Sequence, residues 1–522
     1  MWGLVNLTLP EGITYLGRKA FYDCEKLASI NIPETLTKIG THAFYNCSLL
    51  KSIILPTSLI TMESEVFFNC SKLNIFIKAE EMPSDWDLQW NPDNRPVVWG
   101  FVNSGVLYDF KYAISSIDSN YSVIIIEYTG AFNILNVPEK IEDYDVKKIE
   151  EYAFSNYAGR TIILPETITS IGKGAFASCK NLTKIVLSKN IENIGTDAFL
   201  LCNKLNIYAE NISKPDGWSD AWNPDSRPVI WGFVSLGEEN NFEYAVVFDG
   251  AVYSVVIVTY KGGLATVTIP EKIENYDVKE IAQNTFYQNT YLVNINLPNN
   301  LTKIGSFAFY GCNKLTNITF PEKVISIGES VFESCYVLES VEFSSNITSI
   351  GKAAFKNCYK LNNISLPNSL ESIATKAFER CSNLTSIAIP SNVIKIEDYV
   401  FYQCGSLQNV VMHENLISIG KYAFSGCIVL ENITILEGIK SLDNNAFSNC
   451  IALKNITIPE GVETIGNNAF SNCTNLINIT LPNSLTSLGE YAFYRAGKLE
   501  NIVIPNGVTE IKRSTFEWCT SL

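Results

Sequence analysis

The chain has few of the residues on which catalytic and metal sites are usually built. Its 522 residues include only two histidines, His42 and His413, and only four methionines. Neither histidine has a partner at ligand or catalytic-triad spacing. The sequence contains no CxxC pair, Gly-rich phosphate loop, nucleophile elbow or paired-carboxylate motif. We therefore expect no catalytic residue, no cofactor and no metal site, and we interpret both histidines as surface variation.

Positive charge and long apolar runs are also scarce. Lys and Arg number 39 against 54 Asp and Glu, which gives a formal net charge of −15. Because nucleic-acid binding needs clustered Lys and Arg, nucleic acid is not an expected partner. Apolar runs such as Val123 to Ile126 and Val255 to Val258 fall far short of the roughly 18 to 20 residues of a membrane helix. The sequence therefore predicts no transmembrane segment.

What the chain has in abundance is one 23-residue pattern, clearest in LKNITIPEGVETIGNNAFSNCTN from Leu453 to Asn475. Ile456 and Ile458 alternate as in a half-buried strand, and a second extended step follows. The segment Ala469 to Cys473 is typical of one apolar turn of α-helix or 3₁₀-helix. No single copy buries its apolar groups alone, so the pattern predicts a solenoid of stacked copies with parallel sheets.

Seventeen copies are marked by a phenylalanine that usually precedes a cysteine by three residues. Three copies lie at Phe21 to Phe67, three at Phe154 to Phe199, and eleven at Phe286 to Phe516 with a constant spacing of 23. Two inserts interrupt the series, and they match each other at an offset of 132, as in QWNPDNRPVVWGF and AWNPDSRPVIWGF. The larger unit is therefore duplicated as well.

Each insert has two parts that predict different structures. The first part carries three tryptophans, Trp86, Trp90 and Trp99 or Trp218, Trp222 and Trp231. We interpret it as a cap over the last apolar layer of a stack. The second part alternates apolar and polar residues between turn signals, which predicts a small antiparallel β-meander.

These boundaries predict three domains. They are a three-repeat array with its cap over residues 1–103, a meander with a capped three-repeat array over 104–235, and a meander with an eleven-repeat array over 236–522. The sequence starts inside a repeat and ends at Leu522, the first residue of another. We therefore expect a piece of a longer protein, with any signal, anchor or further domain outside it.

The fourteen cysteines occupy one column of the repeat. Each follows a marker phenylalanine by three residues, and Tyr157, Asn289 and Ala496 replace it in the remaining copies. A shared position predicts small buried thiols. Disulfides between neighbours fit the strand spacing, but parallel side chains make that geometry awkward.

Two uncharged columns mark the outward strand positions of the long array. Thr and Ser predominate between the two buried aliphatics, and Asn lies two positions earlier. Simple solvation explains this pattern, since Thr favours strands; the functional interpretation is a hydrogen-bonding surface for a protein or glycan. The residues predicted to bind a partner are Asn317, Thr319, Asn363, Ser365, Asn432, Thr434, Asn455, Thr457, Asn478 and Thr480.

The Trp segments offer a second, weaker candidate. Their tryptophans lie near Asp93 and Arg95, or near Asp225 and Arg227, which is a combination also found in sugar sites. Because the segments come where a stack must end, we favour structural closure with a local Asp–Arg pair.

The pattern LxxIxIPxxVxxIGxxAFxxC resembles the leucine-rich repeats of the BspA-like, Treponema pallidum type, and it covers about three-quarters of the chain. The resemblance implies an α/β leucine-rich repeat solenoid with a parallel sheet. It also implies a bacterial, largely surface-exposed or secreted group linked to adhesion and protein binding, and it transfers no catalytic residue.

Three classes of function remain open. The favoured one is a monomeric, non-catalytic recognition or adhesion module, extracellular or on the cell surface, that binds a host, matrix or neighbouring-cell protein or a glycan. The alternatives are a cytoplasmic protein-interaction scaffold, favoured by all-thiol cysteines, and the non-catalytic part of a larger enzyme.

Overall fold

The structure, a computed structural model, describes residues 5–522 except for the side chain of Asn363. Two compact units divide the chain between Phe233 and Val234. Throughout the described residues the regular elements are short strands, and none of these residues forms a helix.

The first unit contains twenty strands. In chain order they are β1 Asn6–Thr8, β2 Tyr15–Leu16, β3 Ser29–Asn31, β4 Lys38–Ile39, β5 Ser52–Leu55, β6 Thr61–Met62, β7 Asn74–Ile77, β8 Val97–Val98, β9 Phe101–Leu107, β10 Phe110–Ile117, β11 Asn120–Tyr128, β12 Ile134–Asn136, β13 Lys140–Ile141, β14 Tyr144–Ile149, β15 Thr161–Ile163, β16 Ser170–Ile171, β17 Lys184–Leu187, β18 Asn193–Ile194, β19 Asn206–Ala209 and β20 Val229–Trp231.

The strands that follow run to the last repeats. They are β21 Phe233–Glu239, β22 Phe242–Phe248, β23 Tyr253–Tyr260, β24 Thr266–Thr268, β25 Lys272–Ile273, β26 Tyr276–Ile281, β27 Asn294–Asn296, β28 Lys303–Ile304, β29 Asn317–Thr319, β30 Ser326–Ile327, β31 Ser340–Glu342, β32 Ser349–Ile350, β33 Asn363–Ile364, β34 Ser372–Ile373, β35 Ser386–Ala388, β36 Lys395–Ile396, β37 Asn409–Val411, β38 Ser418–Ile419, β39 Ser441–Leu442, β40 Asn455–Thr457, β41 Thr464–Ile465, β42 Asn478–Thr480 and β43 Ser487–Leu488.

Most repeats form one coil with two strands, and most strands pair with the same strand of the next coil. The first strands form parallel ladders such as β29-β31-β33-β35-β37, and the second strands form others such as β36-β38-β39-β41-β43. The register repeats every 23 residues, so that Ile456 pairs with Ile479. The predicted solenoid with parallel sheets is thereby confirmed.

The expected helical turn at Ala469 to Cys473 is wrong, because a ribbon of turns closes each coil instead. Asn468 and Asn472 take left-handed φ values of 56° and 59°, which interrupt any helix. Alternate amides then donate to the next coil, as Phe470 N does to Ala492 O at 2.8 Å. The amides between them donate within the coil, as Cys473 N does to Phe470 O at 3.3 Å. Half of the amides in the ribbon therefore donate hydrogen bonds that join one coil to the next.

The position of Gly466, just before this ribbon, suggests a turn that needs a positive φ, but the glycine has another role. Gly466 does not adopt a positive φ. A Cβ there would lie 2.6 Å from the backbone nitrogen of Asn444 in the preceding coil. The small residue therefore permits close approach of two coils rather than a special turn.

Buried aromatic rings run through the middle of each stack. Phe424 and Phe447 stack with centroids 5.4 Å apart and planes 6° from parallel, and Phe447 continues to Phe470 at 5.6 Å and 4°. The buried aliphatic residues and cysteines surround these rings. A residue in this column thus contacts its counterparts one repeat away.

Antiparallel strands lie between the runs of coils. In the first unit β10 pairs antiparallel with β9 and β11, and β11 then pairs in parallel with β14, where the next coils begin. In the second unit β22 pairs antiparallel with β23, and β23 pairs in parallel with β26. The boundaries of the three domains remain predictions.

Candidate functional site

The outward strand positions are where the sequence places the candidate surface. In β40, Ile456 is 4% exposed, whereas Asn455 and Thr457 on either side are exposed. The same alternation occurs in β29 and β42. It follows from the period-two geometry of a strand, which turns alternate side chains toward the core and toward solvent.

Side chains in these columns bond along the stack. Asn478 Nδ2 donates to Asn455 Oδ1 at 3.1 Å, and Asn317 Nδ2 donates to Asn294 Oδ1 at 3.2 Å. Thr319 Oγ1 donates to Glu342 Oε2 at 3.0 Å. These two pairs of asparagines therefore orient each other, with part of their hydrogen-bonding capacity left for solvent or a ligand.

The ladder beneath the columns is interrupted near Asn432. Strand β37 ends at Val411, and the next coil contributes only a single bridge, from Asn432 to Asn455. Asn432 and Thr434 are nevertheless exposed on either side of buried Ile433. The coils on both sides of the interruption have His413 and Leu436 where most repeats have proline. Sequence periodicity gave no sign of this break.

The columns are less uniform than the sequence analysis describes. Val411 and Val503 occupy Thr positions and are 61% and 83% exposed. Ser365 is exposed just after β33, while the side chain of Asn363 lies outside the described residues. Charge lies close by, because Lys454 Nζ pairs with Glu431 Oε2 at 2.9 Å one position before the asparagine column. The surface is polar with apolar points and a charged border.

The cysteines are free thiols inside the stack. All fourteen lack a disulfide, and twelve are buried, whereas Cys24 and Cys519 are partly exposed. Cys473 Sγ donates to the carbonyl oxygen of Phe447 in the preceding coil at 3.2 Å. Burial raises the pKa of Cys312 and of Cys473 to about 12. Cys312 and Cys473 thus serve as small apolar groups, and not as nucleophiles.

The two histidines take local partners. His42 Nε2 lies 2.9 Å from Glu65 Oε2, and His413 Nε2 lies 3.1 Å from Val393 O. Among residues 5–522 no three His, Cys, Asp or Glu side chains come together as a possible metal site.

The Trp segments end a stack in a defined way. Trp90 meets the last ring of its run, Phe67, edge-on at 6.0 Å and 81°. The carboxylate of Asp93 accepts a hydrogen bond from the backbone amide of Asn69 at 2.6 Å. In other coils the equivalent amide donates to a backbone carbonyl of the next coil, as Asn46 N does to Phe68 O. Arg95 pairs with Asp93 at 3.4 Å. The second segment repeats this arrangement, with Leu201 N donating to Asp225 Oδ2 at 2.6 Å.

The model of the BspA type leucine rich repeat region matches residues 2–83, 104–214, 279–407 and 394–522, in six copies. These ranges cover well over half of the chain. The chain belongs to the BspA-type leucine-rich repeat family.

Solved leucine-rich repeat structures give further likenesses. A leucine rich cell surface protein from Faecalibacterium prausnitzii is 26% identical over 73% of this chain and 94% of its own, with a TM-score of 0.40. The Treponema pallidum leucine rich repeat protein is 29% identical over 38% of this chain and 91% of its own, with a TM-score of 0.35. The pneumococcal vaccine antigen PcpA is 18% identical over 70% and 93%, with a TM-score of 0.29. A search of curated proteins gives no match.

Leucine-rich repeats of this kind form a protein-interaction fold that is generally non-catalytic, and the chain is a repeat protein of that type. Across the described part of the chain, the structure contains no helix that could cross a membrane.

Sequence reasoning missed two features of the site. The left-handed ribbon residues include Lys376, Tyr399 and Arg495, whose types do not mark such a conformation. The amide capture by Asp93 was also missed, although the shared WNPDxRP motif is the signal that would have located it. A motif kept in both copies of an insert indicates a specific contact.

Proposed function

We propose that this leucine-rich repeat protein is a non-catalytic recognition and adhesion module that works outside the cell and binds a partner protein. The contact surface is the pair of outward columns of the long array, Asn317 to Thr480. The carrying observation is that the outward side chains of β29, β40 and β42 are exposed, and that Asn478 bonds to Asn455 in the preceding coil.

The columns have the chemistry of a polar protein-binding surface. Their amides and hydroxyls offer donors and acceptors without charge. Because Asn455 and Asn478 are already bonded side chain to side chain, a partner loses little conformational entropy in fixing them. Exposed Val411 adds an apolar point between the polar rows.

The size of the surface also favours a macromolecular partner. The eight coils from Asn317 to Thr480, at about 4.8 Å each, give a face roughly 40 Å long. A small molecule would leave most of that face uncovered. Contacts to the Asn and Thr side chains should respond weakly to ionic strength, because screening acts on charges. Contacts at Glu342 and at the Lys454–Glu431 border should respond more strongly.

The extracellular location rests on the expectation carried by the family resemblance. The observation that favours the cytoplasmic alternative is the set of fourteen free thiols, since disulfides rather than thiols are usual outside the cell. Fractionation of cells expressing the full gene separates the two. Recovery in the medium or on the surface supports the proposal, and recovery only in the cytosol contradicts it.

The binding surface is tested with a charge panel. Asn432, Thr434, Asn455, Thr457, Asn478 and Thr480 are changed to Lys, and folding is checked by circular dichroism. A partner found by a surface-protein screen should bind the panel at least tenfold more weakly, which is about 1.4 kcal/mol. The matched control places Lys on the second strands of the same coils, at Ser441, Thr464 and Ser487, and should bind normally.

Undiminished binding to the folded panel would contradict the proposal. If binding is instead lost when Trp90 or Trp222 is changed without unfolding, the Trp segments become the binding site. A screen in which only glycans bind would replace the protein partner with a carbohydrate.

A further inference from the structure

A cleft in the first unit carries chemistry that the repeat columns lack. It has a volume of about 720 Å³ and lies between β5 and β7 on one side and β9 to β11 on the other. Lys51 and Lys72 come from the loops that precede β5 and β7, and Lys111 comes from β10. Phe76 also lines the cleft and packs on Phe101 with centroids 4.8 Å apart.

The cleft is positive although the chain is strongly acidic. It holds three lysines against two carboxylates, Glu127 and Glu151. Glu127 is paired with Lys111. Within the described part of the chain, neither Lys51 nor Lys72 has a carboxylate partner. In a protein of net charge −15, two unpaired ammonium groups against one remaining carboxylate, Glu151, leave the cleft with a net charge of +1, which favours an anionic ligand.

The cleft also contains an open sheet edge. Strand β9 pairs with β10 on one side and stands at the end of its seven-stranded sheet. The two-residue loop Tyr108-Asp109 makes Leu107 and Phe110 a hydrogen-bonded pair, so the alternation of an antiparallel ladder turns the backbone of Val106 and Ser104 outward.

Contacts at this edge agree with that assignment. Ser104 N donates to its neighbour Asn103 Oδ1 at 2.8 Å and not to the ladder. Val106 is 65% exposed and lines the cleft. An unpaired edge of this kind is a template for an added strand.

The duplicated stretch 132 residues later supplies a sequence comparison. Glu238 stands where the first copy has Val106, and Glu243 stands where it has Lys111. Lys261 pairs with both of these glutamates, at 2.9 and 2.7 Å. The apolar edge residue is therefore particular to the first copy, and so is Lys51, whose counterpart is Thr183, whereas Lys72 has a counterpart in Lys204.

We propose that this cleft binds an extended acidic segment of a partner polypeptide, added as a strand along β9 with its carboxylates at Lys51 and Lys72. Seven residues of strand span roughly 23 Å, which fixes a segment of about that length. The main chain supplies pairing, and the lysines select acidic over neutral sequence. This site is separate from the repeat columns proposed above.

The test is fluorescence anisotropy with the intact chain and a fluorescein-labelled eight-residue peptide of alternating Glu and Val. The Gln and Val version is the neutral control. We expect the acidic peptide to bind at least tenfold more tightly, and to weaken as salt is raised. The double variant Lys51→Glu and Lys72→Glu should lose at least tenfold. Lys204→Glu, at the position of Lys72 in the other copy, should change nothing.

A second variant separates strand addition from simple charge capture. Val106→Pro removes an outward N–H and leaves the ladder to β10, because proline is tolerated where an edge amide faces solvent. It should abolish peptide binding with the circular dichroism spectrum unchanged, whereas Val106→Ala should bind nearly as the parent does. The Asn and Thr panel of the long array should also bind the peptide normally, even if that panel loses its own partner.

Several outcomes would overturn the proposal. They are equal binding of the two peptides, no binding at millimolar concentration, or full binding by the folded lysine variant. Binding of an acidic polysaccharide that survives Val106→Pro would show a general polyanion site in place of a peptide site.

Discussion

The second unit has one run of eleven coils, and the first unit has two runs of three. All are built from the same repeat, but they differ in how far the column of stacked aromatic rings continues. In the long run the aromatic column continues from Phe286 to Phe516 without a break. In the first unit it is stopped twice, by Trp90 against Phe67 and by Trp222 against Phe199. A long run presents a repeated surface, and short runs create unique ones.

That difference shows how a repeat protein divides its tasks. Regular coils supply stability through identical neighbours, and they repeat any surface feature many times. The interruptions in the first unit bring β7 and β9 to a common cleft. We therefore expect a substitution in the long run to destabilise only the coils around it. A substitution in a Trp segment that ends a short run should destabilise that whole run.

The largest loss of stability is expected when a tryptophan of a Trp segment is removed. Trp218 is 1% exposed, packs on Trp222 at 4.9 Å and donates from Nε1 to Ile191 O at 3.0 Å. Trp218→Ala should lower the free energy of unfolding of the first unit by about 5 kcal/mol, because it leaves a large cavity and an unpaired carbonyl. Urea unfolding monitored in the first unit measures it. A loss below about 1 kcal/mol would mean that short runs need no such closure.

The cysteine column of the long run should be almost unreactive. The pKa of Cys312 and of Cys473 is about 12. At neutral pH their thiolate fraction is therefore lower than that of a free thiol by a factor on the order of 10³. Maleimide labelling followed by mass spectrometry should modify Cys24 and Cys519 first in the native protein, and all fourteen after denaturation. Rapid native labelling of many sites, or missing thiols after denaturation, would contradict a buried reduced column.

Acid should remove one stabilising ion pair in the first unit. The ion pair of Lys38 and Glu63 at 2.8 Å, with further bonds from Thr41, lowers the pKa of Glu63 to about 2. The group therefore stabilises the fold above the unfolded pKa of about 4.3, and this contribution is lost as pH falls toward 2.

Glu63→Gln should reduce the fall in stability between these pH values, as measured by thermal unfolding across pH. The same change in a Lys38→Met background should have a smaller effect, because only the two bonds from Thr41 then hold the carboxylate. An unchanged pH profile in the single variant would show that the ion pair contributes nothing to folding.

The smallest effect concerns the left-handed ribbon residues. Leu201 has φ 61° and is 46% exposed, and the same position in the long run is occupied by Gly426 with φ 79°. Leu201→Gly should raise the free energy of unfolding by about 1 kcal/mol, because glycine adopts this conformation without steric cost. Gly426→Leu should lower it by a similar amount. Changes of the same sign in both thermal-unfolding experiments would contradict this comparison.

The sequence carries much of this architecture but only part of the site. Period, core columns and strand alternation are visible because Phe470, Cys473 and Ile456 recur at fixed spacing. The ribbon is not visible, since bonds between coils hold Tyr399 and Lys376 in a conformation that their types do not indicate. The cleft is not visible either, because Lys72 and Val106 meet only through folding.

The central claim is that each coil is stabilised by its immediate neighbours, and Phe424→Ala tests it most directly. The ring is fully buried between Phe401 and Phe447, so its loss should cost on the order of 3 to 5 kcal/mol. Hydrogen exchange by mass spectrometry should rise first in residues 401–447, while the coils around Phe21 and Phe44 exchange as in the parent protein. A uniform rise across both units would contradict the claim.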